Sequence, residues 1–277
     1  MPRDVRPIQI IQGAQYGSEG KGAVAGYLAI KEDIGIAVRT GATNAGHTVV
    51  HNGVAVKMQQ LPVGWVNPNT KLVLGAGSLV DLAILKREME QVSALTGRDI
   101  RNRLLIDYRA SIHESFHADR SAAANRHHLL GSTGKGCSEA LIDKIRNRVT
   151  HLMTLGERAN TGDEFIKDLP LNDTAAYLNS EHDRGASIQL EGTQGTLLDL
   201  HLGPYPYVTH KQTGPAQWMM EAGLSPALPT DIVMVARTYP IRVAGNSGPL
   251  PLEMSWPELV REMDAKLDDL RTKGDAR

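Results

Sequence analysis

The chain reads Gly-Ala-Gln-Tyr-Gly-Ser-Glu-Gly-Lys-Gly from Gly13 to Gly22, between the apolar run 8–12 and a segment of small residues, 23–30. This order predicts a strand, a glycine-rich turn and a helix. In such a turn the backbone N–H groups and the helix N-terminus attract phosphate, because both carry partial positive charge. Lys21 adds a full positive charge at the start of the helix. The stretch therefore indicates a phosphate-binding loop in an α/β protein.

Two other interpretations of this loop stay open on its composition alone. The spacing departs from the Gly-x-x-x-x-Gly-Lys-Ser/Thr loop, because Gln15 stands where that pattern has its first glycine and Gly22 where it has a hydroxyl. It also departs from the dinucleotide-binding fingerprint. A glycine-rich segment can be only a tight turn, since glycine adopts many backbone conformations. Other loops of the chain help to decide whether this loop binds phosphate.

Length, charge and cysteine content exclude several classes of protein. The 277 residues suffice for one large α/β domain or two small ones. Lys and Arg number 30 and Asp and Glu 31, so the net charge of −1 indicates neither nucleic acid nor an anionic membrane as a partner. The one cysteine, Cys137, is typical of a reducing compartment. Because no apolar segment is long enough for a leader or a membrane span, we expect a cytoplasmic protein.

Strand-like and helix-like segments alternate along the chain. Further strands are predicted at 34–39, 71–74, 103–107, 187–190 and 231–238, with a hairpin that pairs 48–51 with 54–59. Helices are predicted at 79–92, over the amphipathic stretch 151–184, and after a capping box that begins at Ser255. This order favours an α/β fold with a doubly wound, mostly parallel sheet and helices on both faces, similar to P-loop nucleotide-binding proteins. We expect one large domain over residues 1–277.

Several further loops mix glycine with hydrogen-bonding side chains. The segment 40–48 carries His47, the segment 131–136 carries Lys135, and the segment 191–196 follows a predicted strand. Loops that follow the strands of an open α/β sheet meet at its ligand-binding edge. Together they favour an oligophosphate or nucleotide site over unrelated turns. The basic stretch 143–148 is taken as a solvated helix face.

The stretch His113-Glu114-Ser115-Phe116-His117 matches the His-Glu-x-x-His pattern of zinc peptidases. Two histidines one helical turn apart would hold the metal there, and the glutamate would activate water. The extended pattern fails at 118–120, and Glu139 is only a distant candidate for a third ligand. With 10 histidines in the chain, a chance match is the favoured interpretation.

In their order along the chain, the loops resemble the motifs of the adenylosuccinate synthetase family. Its pattern runs Gly-x-Gln-Trp-Gly-Asp-Glu-Gly-Lys-Gly, Asn-Ala-Gly-His-Thr, Gly-Thr-Thr-Gly-Arg-Gly, Glu-Gly-Ala-Gln-Gly-Thr-Leu-Leu-Asp and Thr-Tyr-Pro-Tyr-Val-Thr. The matching segments here are 13–22, 44–48, 131–136, 191–199 and 204–209, followed by Tyr-Pro-Ile-Arg-Val at 239–243. The resemblance implies a purine nucleotide, L-aspartate and a nucleoside triphosphate (ATP, GTP or dATP) as substrates, with Mg²⁺, in a homodimer. The family phosphorylates the 6-oxo group and then displaces that phosphate with the aspartate amine.

The resemblance also implies roles for individual residues. Catalysis would involve Lys21 at the transferred phosphate, His47 as a general acid on its oxygens, and Gln194 at the base, with Ser18 at the position of the family's catalytic aspartate. Magnesium would contact Ser18 and the carbonyl of Gly46. The triphosphate would be held by Gly17, Ser18, Glu19, Gly20, Lys21, Gly22, Gly46, His47 and Thr48. The purine nucleotide would be held by Ser18, Asn44, Ala45, Ser132, Thr133, Gln194, Thr209, Arg148 and Arg242.

Ser18 is the most informative departure from the family pattern. A serine hydroxyl is a poor base at neutral pH, so it cannot readily take the N1 proton of IMP as an aspartate does. Its small side chain leaves room and a hydrogen-bond acceptor beside C2 of the purine, where guanine carries an amino group. The substitution resembles the viral, bacteriophage branch of the family, which uses dGMP on the route to 2-aminoadenine nucleotides. We therefore expect dGMP as the substrate, and a host-cytoplasmic location if the protein is viral.

Two further departures leave alternatives open. The basic residue that the family extends across its dimer interface falls near Asn147, so Arg146 or Arg148 is expected to replace it. The family's C-terminal segment, which holds the aspartate carboxylate, is not visible after the region of Arg242. An ordinary synthetase that acts on IMP, and a nucleotide-binding protein without catalysis, therefore remain the alternatives to a dGMP-using ligase.

Overall fold

The computed structural model describes residues 6–147, 153–242, 246–251 and 253–274. The chain divides into two compact units, Met1–Ser247 and Gly248–Arg277. The second unit contains one amphipathic helix, which begins after Ser255 with the predicted capping contacts to Glu258. Among the described helices, none is long and apolar enough to cross a membrane. One domain over residues 1–277 stays a prediction.

The first unit is built on a parallel sheet of seven strands in the order β11-β1-β10-β2-β5-β7-β9. Two small pairs accompany it, the antiparallel hairpin β3–β4 and the parallel pair β6–β8. The strands are β1 (Ile8–Gly13), β2 (Ile36–Arg39), β3 (His47–His51), β4 (Val54–Met58), β5 (Lys71–Leu74), β6 (Leu79–Val80), β7 (Leu104–Asp107), β8 (Ser111–Ile112), β9 (Leu171–Asn172), β10 (Ile188–Glu191) and β11 (Thr230–Val235).

Helices cover both faces of this sheet, as predicted. They are α1 (Lys21–Lys31), α2 (Leu82–Thr96), α3 (Ser115–Ala123), α4 (Arg126–Leu130), α5 (Cys137–Arg146), α6 (Leu155–Ala159), α7 (Glu164–Lys167), α8 (Thr174–Asp183) and α9 (Pro215–Ala222), with α10 (Trp256–Gly274) in the second unit. Short 3₁₀ helices lie at Val63–Val66, Ile100–Arg103 and Thr196–Leu198.

Alternate strand residues pack into two hydrophobic cores, one on each face of the sheet. In β2, Ile36 and Val38 join a core that also contains Trp218 of α9, whereas Ala37 joins a core that contains Leu85 of α2. Since side chains of a strand point alternately to opposite faces, a sheet buried on both sides reads as a continuous apolar run. This confirms the doubly wound arrangement.

The prediction of helix over 151–184 was wrong in its continuity. The structure instead places α6, α7, β9 and α8 there, and Leu152 lies outside the described residues. Thr154, Asp163 and Asp173 each cap the start of a new helix by accepting a backbone N–H. Such residues favour helix starts because their side chains satisfy N–H groups that have no partner inside the helix. The segment 79–92 likewise begins as β6, and its helix starts after the cap at Asp81.

The sheet brings together the loops that the sequence predicts to bind ligand. The segments 13–22, 40–48 and 191–196 follow β1, β2 and β10, which are neighbours in the sheet. Because these strands are parallel, their carboxyl ends meet at one edge, where open α/β sheets bind ligands. The β3–β4 hairpin extends this edge, and its turn at Asn52-Gly53 has positive φ at both residues, as the sequence predicts.

One buried carboxylate ties helix α2 to the chain that leaves the hairpin. Glu88, 1% exposed, accepts hydrogen bonds from the backbone N–H groups of Gln59, Gln60 and Leu61 at 2.6, 3.0 and 2.9 Å. A glutamine at this position has only one acceptor oxygen, and its NH₂ group would face an N–H donor.

We therefore expect Glu88→Gln to lower the free energy of unfolding by about 1–3 kcal/mol, the cost of leaving a buried donor unpaired. The matched control is Glu90→Gln on the exposed face of the same helix, which should change stability by less than about 0.5 kcal/mol. Urea denaturation of both variants measures the difference. Equal midpoints for Glu88→Gln and the unchanged protein would contradict this role.

Candidate active site

The loop after β1 is organised by Glu19. One carboxylate oxygen accepts the backbone N–H groups of Gln15 and Gly17 at 3.1 and 2.8 Å, and the other lies 2.6 Å from the ammonium of Lys21. A side chain at Gly13 would have its Cβ 2.8 Å from the backbone carbonyl oxygen of Gln194 and 2.8 Å from that ammonium, so glycine is favoured there. Burial lowers the pKa of Lys21, although the charge of Glu19 opposes the shift. The loop thus holds a buried lysine at the start of α1.

The loop after β2 is held by a buried ion pair beneath it. Arg39 and Glu191 end the neighbouring strands β2 and β10 and are partners in register. Arg39 donates from Nη2 to the carbonyl of Ala45 at 2.5 Å. Glu191 lies 3.0 Å from Nδ1 of His47 and 3.7 Å from Nη1 of Arg39, and it also accepts the N–H of Gly64. The sheet therefore fixes the position of the His47 ring.

Burial shifts the pKa values of the His47 and Glu191 pair in opposite directions. Burial, with the charges of Arg39 and Lys21, holds the pKa of His47 well below its usual value. Burial raises the pKa of Glu191 to about 7, although Arg39 opposes the shift. Both shifts favour the uncharged forms of the two groups. Nε2 of His47 is buried and has no hydrogen-bond partner among the described residues, and His47 lines the cavity.

Two residues at the cavity wall have left-handed backbone conformations that non-glycine residues seldom adopt. Ser18 has φ 60° and Gln194 has φ 58°. The Gln194 amide donates to Asn44 at 3.3 Å and accepts from the Thr193 hydroxyl at 2.8 Å. Backbone strain of this kind concentrates at functional sites, because the surrounding structure must hold it in place. The two hydrogen bonds of Gln194 therefore fix the direction of its side chain.

Two further walls of the cavity come from segments that are far apart in the chain. Loop 131–136 and the start of α5 form one wall, and the segment 203–210 forms another. Arg242 lies between them, with its guanidinium carbon 4.1 Å from the ring centroid of Tyr16. Burial lowers the pKa of His210, in this second wall, to about 4. Together the walls enclose a cavity of about 450 Å³.

The cavity brings together most of the predicted site residues. Those that line it are Gly17, Ser18, Lys21, Asn44, Ala45, Gly46, His47, Ser132, Thr133, Gln194, Thr209 and Arg242. Glu19, Gly20, Gly22 and Thr48 belong to the same loops but do not line it. Arg148 lies outside the described residues. The roles of these residues in binding and catalysis stay predictions.

Sequence analysis missed several residues that build the cavity. Glu191 and Arg39 support it from below, and Tyr16, Tyr207 and His210 line it. The sequence does contain a signal for Arg39 and Glu191. Each is a charged residue at the end of an apolar strand, and a buried charge at the sheet edge must find a partner. The aromatic residues lie in predicted loops, but nothing in the sequence indicates which of them face the cavity.

The His-Glu-x-x-His stretch does not form the arrangement of a zinc peptidase. Helix α3 begins at Ser115, so His113 precedes the helix and does not share a helical face with His117. The ring of His117 accepts the N–H of Glu114 at 3.0 Å and lies 3.3 Å from the carboxylate of Asp143. In the part of the chain that the structure describes, no group of three or more His, Cys, Asp or Glu side chains could hold a metal.

Comparisons with known proteins agree with the loop motifs. A sequence model of the adenylosuccinate synthetase family matches residues 10–170 and 156–276. The adenylosuccinate synthetase of Thermococcus onnurineus is 37% identical over 92% of this chain and 72% of its own length. That of Methanococcus vannielii is 38% identical over 90% of this chain and 70% of its own length.

Solved structures show the same fold. The succinoaminodeoxyadenylate synthetase of cyanophage S-2L, bound to dGMP and to dATP as an energy donor, superimposes with a TM-score of 0.79. It is 32% identical over 90% of this chain and 71% of that chain. The fully ligated adenylosuccinate synthetase of Plasmodium falciparum superimposes with a TM-score of 0.77 at 24% identity, over 90% of this chain and 66% of that chain, a likeness of fold alone. From the matched family model and the archaeal relatives, this protein belongs to the adenylosuccinate synthetase family, a family of ligases that form carbon–nitrogen bonds.

Proposed function

We propose that this protein joins L-aspartate to position 6 of dGMP, with hydrolysis of ATP, GTP or dATP, and so forms 2-amino-2′-deoxyadenylosuccinate. The observation that carries the proposal is Ser18, which lines the cavity where the family pattern has aspartate. The cyanophage S-2L enzyme, bound to dGMP and dATP, supports the same assignment. The archaeal relatives are ordinary synthetases at 37% and 38% identity, so an enzyme that uses IMP is the competing candidate.

The chemistry of Ser18 accounts for the choice of purine. Guanine and hypoxanthine both carry a proton at N1, so they differ at this place only in the 2-amino group of guanine, from which the Ser18 hydroxyl can accept a hydrogen bond. The neighbouring amide of Gln194, which contacts Asn44 at 3.3 Å, can read the base edge through its donor and acceptor. A carboxylate in place of Ser18 would occupy the space that the 2-amino group of guanine needs.

The remaining cavity residues suit phosphoryl transfer. His47 lines the cavity and its ring is held at Nδ1 by Glu191, so Nε2 is left to share a proton with a phosphate oxygen. A phosphate dianion beside this ring favours the charged imidazole, which opposes the effect of burial on its pKa. Lys21 and the N–H groups of the loop after β1 stabilise negative charge on the transferred group.

Magnesium fits this donor set only together with nucleotide phosphates. The hydroxyl of Ser18 and the carbonyl of Gly46 are hard oxygen donors of the kind that Mg²⁺ prefers, and both residues line the cavity. Mg²⁺ usually keeps waters and phosphate oxygens as its other ligands. When bound, it neutralises charge on the transferring phosphoryl group.

We further propose that the protein is a homodimer in the cytoplasm, on the resemblance to the family.

The choice of purine is tested by phosphate release with Mg²⁺, L-aspartate and ATP, comparing dGMP with IMP. We expect turnover with dGMP and little with IMP. Ser18→Asp should lower kcat/KM for dGMP by roughly 5- to 150-fold, the effect of one lost buried hydrogen bond. Ser115→Asp, at the exposed start of α3, is the matched control and should leave turnover unchanged.

Two other outcomes would overturn the proposal. Turnover with IMP alone would identify an ordinary adenylosuccinate synthetase. Binding of both purines without phosphate release, measured by calorimetry on the same preparation, would identify a nucleotide-binding protein without catalysis.

A second prediction concerns the imidazole held by Glu191. His47→Asn removes the imidazole from the lining of the cavity, and we expect kcat to fall by about 100- to 10,000-fold, as is usual for loss of a general acid. The affinity for dGMP should change little, because the ring acts on phosphoryl transfer. The matched control is His51→Asn. His51 lies on the same strand, against Trp65 and away from the cavity, so this variant should keep kcat within about twofold of the unchanged protein. Equal rates for the two variants would exclude His47 from the reaction.

A further inference from the structure

The guanidinium of Arg242 connects three separate segments around the cavity. Its carbon Cζ lies 4.1 Å from the ring centroid of Tyr16. Its Nη1 donates to the carbonyls of Tyr207 and Ser247 at 3.3 and 2.6 Å. Tyr16, Tyr207 and Ser247 all line the cavity. One side chain therefore links the loop after β1, the segment 203–210 and the segment around residue 247.

Ser247 in turn contacts the loop that carries Ser132 and Thr133. Gly131 has φ +59°, and a Cβ there would lie 2.5 Å from the backbone nitrogen of Ser247, so the two backbones are in direct contact. The amide of Asn246 adds a hydrogen bond to the carbonyl of Leu129 at 2.9 Å. Arg242 is thus connected to the walls that carry the hydroxyl side chains of Ser132, Thr133 and Thr209.

Tyr16 is placed to fix the direction of this guanidinium. Its side chain is buried, with the residue 6% exposed, and its ring presents a π face to the cation. A cation over an aromatic face is attracted to the ring quadrupole, and a planar guanidinium also stacks on it. The two backbone carbonyls orient Nη1, and the ring restricts the rest of the group.

We propose that Tyr16 is a positioning residue for the purine mononucleotide. Its ring holds Arg242 so that the three walls close around that nucleotide, and its removal lowers affinity for the mononucleotide while the triphosphate binds as before. The proposal rests on the proposed function only for the identity of the nucleotide, dGMP.

The test measures binding of dGMP and of ATP separately, by calorimetry on the full chain with Mg²⁺. Tyr16→Leu should raise the Kd for dGMP about 3- to 30-fold, the range expected for loss of a cation–π contact, and leave the Kd for ATP within about twofold. Tyr16→Phe keeps the ring and should restore binding. Tyr27→Leu removes an exposed tyrosine that lies 5.4 Å from the ammonium of Lys31, and as the matched control it should change neither affinity.

A double-mutant cycle separates positioning from a structural effect. If Tyr16 acts through Arg242, Tyr16→Leu should weaken dGMP binding no further once Arg242→Met is present. Additive losses, an equal loss of ATP and dGMP affinity in Tyr16→Leu, or failure of Tyr16→Phe to restore binding would each overturn the proposal. Binding of IMP without binding of dGMP would contradict the proposed choice of purine. The same double-mutant cycle, measured with IMP, would then test the positioning role of Tyr16. If neither binds, Tyr16 has no such role.

Discussion

The ion pair between Arg39 and Glu191 is the constraint on which the cavity depends. The two residues end adjacent parallel strands in register, so the geometry of the sheet itself places a cation and a carboxylate side by side beneath the loops. A buried pair of this kind is stable only when its remaining hydrogen-bonding atoms find partners. Nη2 of Arg39 finds the carbonyl of Ala45, and the oxygens of Glu191 find the N–H of Gly64 and the ring of His47. The loop after β2 is therefore held in the conformation that satisfies the pair.

The same arrangement gives the cavity floor its electrostatic character. Lys21 and Arg39 are both buried, and each lies near one carboxylate, Glu19 for Lys21 and Glu191 for Arg39. Nε and Nη1 of Arg39 have no hydrogen-bond partner among the described residues, so part of its charge is not offset by hydrogen bonding. Fixed positive groups in a site of low dielectric constant stabilise developing negative charge without rearrangement. The buried positive charge of Lys21 and Arg39 suits the phosphate groups of two nucleotides better than it suits a neutral ligand.

The sequence predicts the positions of the sheet strands and the meeting of the loops because both follow from short-range patterns. Apolar runs locate β1, β2, β5, β7 and β10, and parallel order brings their carboxyl ends to one edge. Thr154, Asp163 and Asp173 are residue types that favour helix starts, but the apolar spacing of 151–184 by itself predicts one continuous helix. The contacts of Arg39 with Ala45 and of Tyr16 with Arg242 could not be predicted, because they depend on how loops fold over the sheet.

The backbone conformation at Ser18 is compatible with either serine or aspartate. Its φ of 60° lies in the left-handed region, which aspartate tolerates better than most residues. An aspartate at this position is therefore compatible with the loop, whose shape is set by Glu19 and by the glycines at 17 and 20. In the proposed function, exchange of a carboxylate for a hydroxyl at this position would change the purine that the site accepts, while the backbone of the loop keeps its shape. On this proposal, a single residue would be enough to give a family with one phosphoryl-transfer site a second purine substrate.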